Sequence, residues 1–174
     1  VTDHREELRQ FFQDRLRVML RDAGYTTLEV DAVLALNPEK LDELPKRLAA
    51  VRAFMVLPEA EALTAANKRI GNILKKIEGE VPTVVNEALL AEDAEKQLFA
   101  AINDVEPKAL QHFAAGEYEQ MLATLAVLRG PVDSFFDNVM VNAEDPALRA
   151  TRQALLKRLY DVMNKVAEIA RLAK

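Results

Sequence analysis

Apolar residues recur every three to four positions along almost the whole chain, the spacing of one face of an α-helix. In the first segment Leu8, Phe11, Phe12, Arg15 and Met19 share a face, and Gly24 ends the helix. Thr26 or Thr27 caps a second helix running to Leu36, which Asn37-Pro38 stops. A third spans about Leu41 to Val56, with Pro45 near a restart. Pro58 suits the first turn of a long fourth helix reaching Ile77, because its missing N–H has no helical partner there anyway. The run EGEVPT around Gly79 and Pro82 is the first clear break. A fifth helix is expected from about Asn86 to Val105, a shorter one from Pro107 to Gly116, and another up to Leu128. Gly130-Pro131 makes a turn into a helix that passes Ser134 and ends near Val139. Asp145 caps the last helix, with Pro146 at its first position, and that helix is expected to run to Leu172. The only strand candidate, VPTVV at 81–85, is short. The expected fold is therefore all-α: a bundle of about eight or nine helices, with a helical connecting segment over 1–57 and a second unit over 58–174.

Composition narrows the picture. A chain of 174 residues can bury a sizeable core without covalent staples. With no cysteine, it holds no disulfide, thiolate metal site or cysteine nucleophile. No apolar run approaches the ~18 residues of a membrane span, so a cytoplasmic protein with no membrane partner is expected. The start, VTDHREELRQ, is charged and lacks a methionine, which suggests a processed chain or an excised piece of something longer. The net charge of -5 hides a pattern. Residues 1–77 carry net +1, residues 78–148 net -11 and residues 149–174 net +5. An acidic middle repels phosphate, so a nucleic-acid contact must use the flanks.

Catalytic chemistry finds little support. His4 and His112 lack partners at ligand spacing, and structural roles suit both better than metal binding. No glycine is followed by lysine, which excludes a phosphate-cradling loop with its lysine. Neither GxGxxG nor GxSxG occurs. The acidic groups Glu92, Asp93, Glu95 and Glu144, Asp145 have the look of solvated or capping carboxylates rather than an acid–base pair.

Binding surfaces are more informative. On the fourth helix Leu63, Ala66, Ile70, Ile73, Leu74 and Ile77 form one stripe, at 100° per residue. Lys68, Arg69, Asn72, Lys75 and Lys76 fall opposite, with Lys68 over Lys75, Arg69 over Lys76 and Asn72 between the rows. Such a face can track phosphates, and cations late in a helix also answer its negative C-terminal dipole; spacing alone leaves both readings open. In the last helix Leu148, Leu155, Leu159, Val162, Val166 and Ile169 form the expected core stripe. Arg149 and Arg152 lie in its first turns, where the dipole gives a cation no help and an anion is wanted, the simplest being Glu144 and Asp145. Phe135, Phe136, Val139, Met140 and Val141 are expected in the core, with stacking on exposed bases as the sharper alternative.

The stretch LRGPVDSFFDNVMVNAEDPALRATRQALLKRL (128–159) resembles the C-terminal end of the β subunits of bacterial tetrameric glycyl-tRNA synthetases. ALTAANKRIGNILKK (62–76) resembles the helix that opens their anticodon-binding domain, and FFQDRLRVMLRDAGYTTLEVDAVLAL (11–36) the helical region before it. The family pattern has asparagine and leucine where this chain has Thr151 and Gln153. The resemblance implies an all-helical anticodon-binding domain of the DALR type, as in arginyl-tRNA synthetase. It implies an α2β2 partner set in which the α subunit holds the glycine-adenylate site with its ATP and Mg, and this piece needs no cofactor. It also implies recognition of glycine tRNA; given that role, the physics of a single-stranded loop makes Lys68, Arg69, Lys75 and Lys76 the candidates for phosphates, Asn72 the candidate for a base edge, and Arg149 and Arg152 weaker candidates. A helical module that docks proteins without touching RNA is the rival expectation.

Overall fold

The computed structural model describes residues 4–173. Among them are eight α-helices: α1 (Arg5–Asp22), α2 (Thr27–Leu34), α3 (Leu44–Met55), α4 (Ala60–Lys75), α5 (Asp93–Ala114), α6 (Tyr118–Leu125), α7 (Arg129–Asn138) and α8 (Pro146–Met163). Short 3-10 turns at Leu41–Glu43, Glu87–Leu89, Ala126–Leu128 and Ile169–Leu172 link or follow them, and no described residue lies in a strand. The stretch 81–85 is irregular and leads into the turn at 87–89.

The starts and stops have local chemical causes. The Thr26 side chain accepts from the Glu29 backbone N–H (3.2 Å) while the Glu29 carboxylate accepts from the Thr26 backbone N–H (2.8 Å), a capping box. Gly24 at φ +102° and Asn37 at φ +49° take the left-handed conformations that end α1 and follow α2. Pro45 sits in the first turn of α3. The Asp145 carboxylate accepts from the Ala147 backbone N–H at 2.9 Å, with Pro146 opening α8 as the spacing requires.

Five boundaries depart from the sequence expectation. α5 begins at Asp93 rather than near Asn86, with the 3-10 turn at Glu87–Leu89 before it. Pro58 stands before α4, in a turn closed by the Ala60 N–H on the Leu57 carbonyl (3.1 Å). The fifth and sixth expected helices are one, because α5 runs straight through Pro107. That proline and Asn103, whose carbonyl it leaves without its N–H, both lie on the exposed side of the helix. Meanwhile Leu98, Ile102, Val105 and Ala109 hold the opposite face in the core. Gly130 and Pro131 belong to the first turn of α7 rather than to a turn before it.

The fifth departure positions the candidate site. α8 ends at Met163, not near Leu172, and Asn164 breaks it. The Asn164 side chain donates to the Tyr160 carbonyl (2.8 Å) and accepts from the Ile169 N–H (2.9 Å). Buried Arg47 of α3 donates to the carbonyls of Lys165 (2.8 Å) and Val166 (2.9 Å), which a continuous helix would have used internally. Buried Asn67 of α4 accepts from the Ala170 N–H (3.1 Å), so the closing segment lies along α4. Val166, Ala167, Ile169 and Leu172 then fill one core with α2, α3, α4 and α8. Within that core α5 packs on α6, α7 and α8, and α3 on α6. A Cβ added to Gly71 would come 3.3 Å from the Tyr160 ring, so glycine there permits the close approach of α4 to α8.

Candidate nucleic-acid interface

α4 presents its two faces as the spacing predicts. Leu63, Ala66 and Ile70 are buried, with Ile73 and Leu74 packed against the core. Lys68, Arg69, Asn72, Lys75 and Lys76 are all exposed. Lys68 and Lys75 are about 10 Å apart along the helix axis. Among the described residues, none of Lys68, Lys75 and Lys76 has a carboxylate within ion-pair distance. The helix dipole accounts for Lys75 and Lys76, in and just past the last turn, but it fades beyond that turn and offers Lys68 and Arg69 nothing. Arg69 instead lies with its guanidinium carbon 4.3 Å from the centre of the Phe136 ring. This cation–π contact holds the arginine in place on the exposed face.

Two clefts flank this face. One, of about 540 Å³, is lined by Lys68, Arg69, Asn72, Ile73 and Lys76, with Ala173 of the closing segment at its side. The other, of about 520 Å³, shares Ile73 and Lys76 and continues past Ile77 and Pro82 to Arg149 and Gln153 at the start of α8. Arg149 is half-buried and donates to the Ala143 carbonyl (3.1 Å), which fixes its guanidinium on the wall of this cleft. Asn142, Glu78 and Glu80 line it too. Amides and carboxylates are the groups that pair with donor and acceptor edges of an unstacked base. These residues come from the EGEVPT break and the loop before α8, where no periodicity singles them out. Their signal in the sequence was only their polarity.

Arg152 requires a correction. It is 6% exposed and its guanidinium is turned into the fold, donating to the Glu95 carboxylate (2.8 Å) and the Met140 carbonyl (2.6 Å). Its partner is therefore Glu95 of α5, not Glu144 or Asp145, and Asp145 is engaged as the α8 cap. Glu95 is wholly buried. Burial pushes its carboxyl up, but the Arg152 bond and the backbone N–H groups of Glu92 and Ala91 outweigh that and hold it below the usual carboxylate range. Arg152 thus ties α8 to α5 and is withdrawn from any solvent-facing role. Thr151, one of the departures from the family pattern, is buried and accepts from the Asn86 N–H (2.7 Å). Phe135, Val139 and Val141 are core residues as expected, Phe136 is half-buried beneath Arg69, and Met140 is 72% exposed. His4 and His112 lie 3.1 Å from Glu7 and Glu117, and no described cluster of three His, Cys, Asp or Glu can hold a metal ion. Lys174 lies outside the described residues.

The site is thus a basic helix face beside two polar clefts on an all-helical frame. The family model described as the DALR anticodon binding domain matches residues 63–170. The chain belongs to the DALR anticodon binding domain family. The match begins inside α4 and ends in the turn that covers it, so both clefts of this DALR domain lie largely within it. The chain is also similar to curated proteins named glycine–tRNA ligase beta subunit. That of Leptothrix cholodnii is 62% identical over 99% of this chain and 24% of the relative. That of Delftia acidovorans is 57% identical over 99% of this chain and 25% of the relative, and that of Methylobacillus flagellatus 56% over 97% and 24%. The DALR chain therefore spans about a quarter of the length of the relatives it matches, and corresponds to their C-terminal part.

Proposed function

We propose that this chain is the anticodon-binding part of a glycine–tRNA ligase β subunit and that it holds the anticodon stem-loop of glycine tRNA on the outward face of α4. The observation that carries this reading is the row of exposed cations Lys68, Arg69, Lys75 and Lys76, of which the lysines carry no ion pair among the described residues. A cation without a protein anion gains most from a phosphate, and it contributes affinity by releasing counterions. Phosphates seated along α4 fix the register of the loop, and the clefts on either side take its unstacked bases. Asn72 offers an amide to a base in the first cleft. In the second, Asn142 and Gln153 offer amides and Arg149 a fixed donor fork. The net charge of -11 over residues 78–148 repels the backbone elsewhere and steers RNA toward α4.

Within the whole enzyme, glycine activation with ATP and Mg belongs to the α subunit. The rest of the β subunit connects that site to this domain, in an α2β2 assembly in the cytoplasm. A protein-docking module without RNA contact is the competing role, and competition between RNA fragments separates the two. Labelled glycine tRNA bound to the assembled synthetase should be displaced from this domain by its anticodon stem-loop and far less by its acceptor arm. Crosslinks from α4 that are lost equally with either fragment, or never form, would leave the protein-docking role.

A further inference from the structure

α1 carries two apolar strips, and only one is used by the bundle. Leu16 and Leu20 pack toward the core, while Gln13 bonds Asn37 and Arg17 meets Asp31 at 3.2 Å, so this side lies on α2. The opposite side holds Leu8, Phe11, Phe12, Val18 and Met19, which are 48–66% exposed. They lie at 8, 11/12 and 18/19, with exposed Arg15 on the turn between, so together they form one helix face of the kind that lies in an apolar groove. Phe11, Val18 and Met19, with Asp14 and Arg15, already line a shallow groove of about 270 Å³ on this side. No other helix of the chain turns so many large apolar side chains outward, and no residue of α1 is buried among the described ones. The face that the sequence marks as the apolar side of the first helix is thus left outside the core.

We infer that the outer face of α1 is an interdomain surface that docks on the preceding part of the same β-subunit polypeptide. The inference rests on the chain being the C-terminal quarter of such a subunit, since in the relatives three quarters of the polypeptide precede the matched segment. Size selects this occupant over a second copy. The five side chains expose roughly 500 Å² of mostly apolar surface, below the ~800 Å² per partner of a standard stable dimer and near the lower range of interdomain contacts within a chain. A covalently connected neighbour needs less area, because tethering supplies an effective concentration on the order of millimolar. RNA is a poor occupant: the face is five large apolar side chains to one cation, Arg15, and α1 as a whole carries four carboxylates against five arginines, which is no basic track for phosphates.

The test is a photo-crosslink from the assembled synthetase. A benzophenone analogue of phenylalanine replaces Phe11, a substitution that keeps an aromatic ring at an exposed position. Irradiation followed by peptide mapping should give crosslinks to the preceding part of the same β chain, with and without tRNA. Mixing isotopically heavy and light β subunits distinguishes a crosslink within one chain from one between two. Crosslinks to a second β chain, to the α subunit or to RNA, or no protein crosslink at all, would overturn the inference. A parallel reading uses Val18→Cys and Val127→Cys, which are 60% and 64% exposed here. In the assembled enzyme a thiol reagent should modify position 18 at least tenfold more slowly than position 127, and equal rates would contradict docking. Neither readout involves tRNA affinity, so the surface can fail while the RNA-binding role stands, and the converse.

Discussion

Two sets of cations in this protein look alike in sequence and differ in every physical respect. Lys68, Arg69, Lys75 and Lys76 stand out from α4 into solvent, whereas Arg152 of α8 and Arg47 of α3 are 6% and 8% exposed and bonded to Glu95 and to backbone carbonyls. The buried pair hold helices together; in the outward row Arg69 rests on the Phe136 ring and Lys75 and Lys76 answer the helix dipole, but none of the three lysines has an anion among the described residues. The difference lies in which stripe each cation shares. On α4 the cations fall opposite Leu63, Ala66 and Ile70, so burial of that stripe turns them outward. Arg152 lies beside Leu155, Leu156 and Leu159 on a helix buried on most sides, and an arginine there must find an internal anion.

That contrast breaks first, and hardest, at the buried ion pair. Arg152→Ala should cost about 3–5 kcal/mol, because it strands a wholly buried carboxylate at Glu95. Urea unfolding of the variant measures it, and a loss below about 1 kcal/mol would mean that Arg152 is dispensable to the fold.

A smaller effect is expected at the Arg52–Glu29 pair (2.8 Å), where the Arg52 bond, against opposing desolvation, holds the Glu29 carboxyl near about 2 instead of its ordinary 4.5. A lowered carboxyl contributes stability above its unfolded pKa, and that contribution is lost as pH falls from about 4.5 toward about 2. Glu29→Gln should therefore lower stability at neutral pH by about 1–2 kcal/mol and flatten the acid limb of a midpoint-against-pH curve. A variant whose curve keeps the native slope over that window would place the acid sensitivity elsewhere.

The Asp145 cap is worth less. Asp145→Ala should cost about 1 kcal/mol, read as a shift in denaturant midpoint with unchanged slope. The smallest effect on stability belongs to α4 itself. Lys68→Ala with Lys75→Ala should stay within about 0.5 kcal/mol of the parent, since both side chains are exposed and unpaired among the described residues.

The helical fold was legible because burial of a stripe every 3.6 residues dominates it, and the caps at Thr26 and Asp145 are local bonds between near neighbours. The two largest boundary errors, at Pro107 and at the end of α8, depend on distant partners. Pro107 stays within α5 because Ile102, Val105 and Ala109 are held by other helices, and α8 stops because Arg47 and Asn67 claim backbone groups over a hundred residues away in sequence. The same reason hid the role of Arg152, since nothing near it announces Glu95 on α5. The outward face of α4 was readable from its own period, whereas the cleft that Asn142, Gln153 and Glu80 complete comes together only when the chain folds.

The central claim is that the outward cations of α4 bind RNA phosphates. It is tested most directly by titrating glycine tRNA at several salt concentrations against the assembled synthetase, comparing Lys68→Ala plus Lys75→Ala with Lys96→Ala plus Lys108→Ala. Both pairs remove two positive charges, but the second pair lies on α5, within the acidic stretch. For single-stranded sites each lost phosphate contact changes the slope of log affinity against log salt by about 0.7. The α4 pair should weaken binding and flatten that slope by about 1.4, while the α5 pair leaves the slope unchanged. Equal affinities and equal slopes for the two pairs would contradict the account.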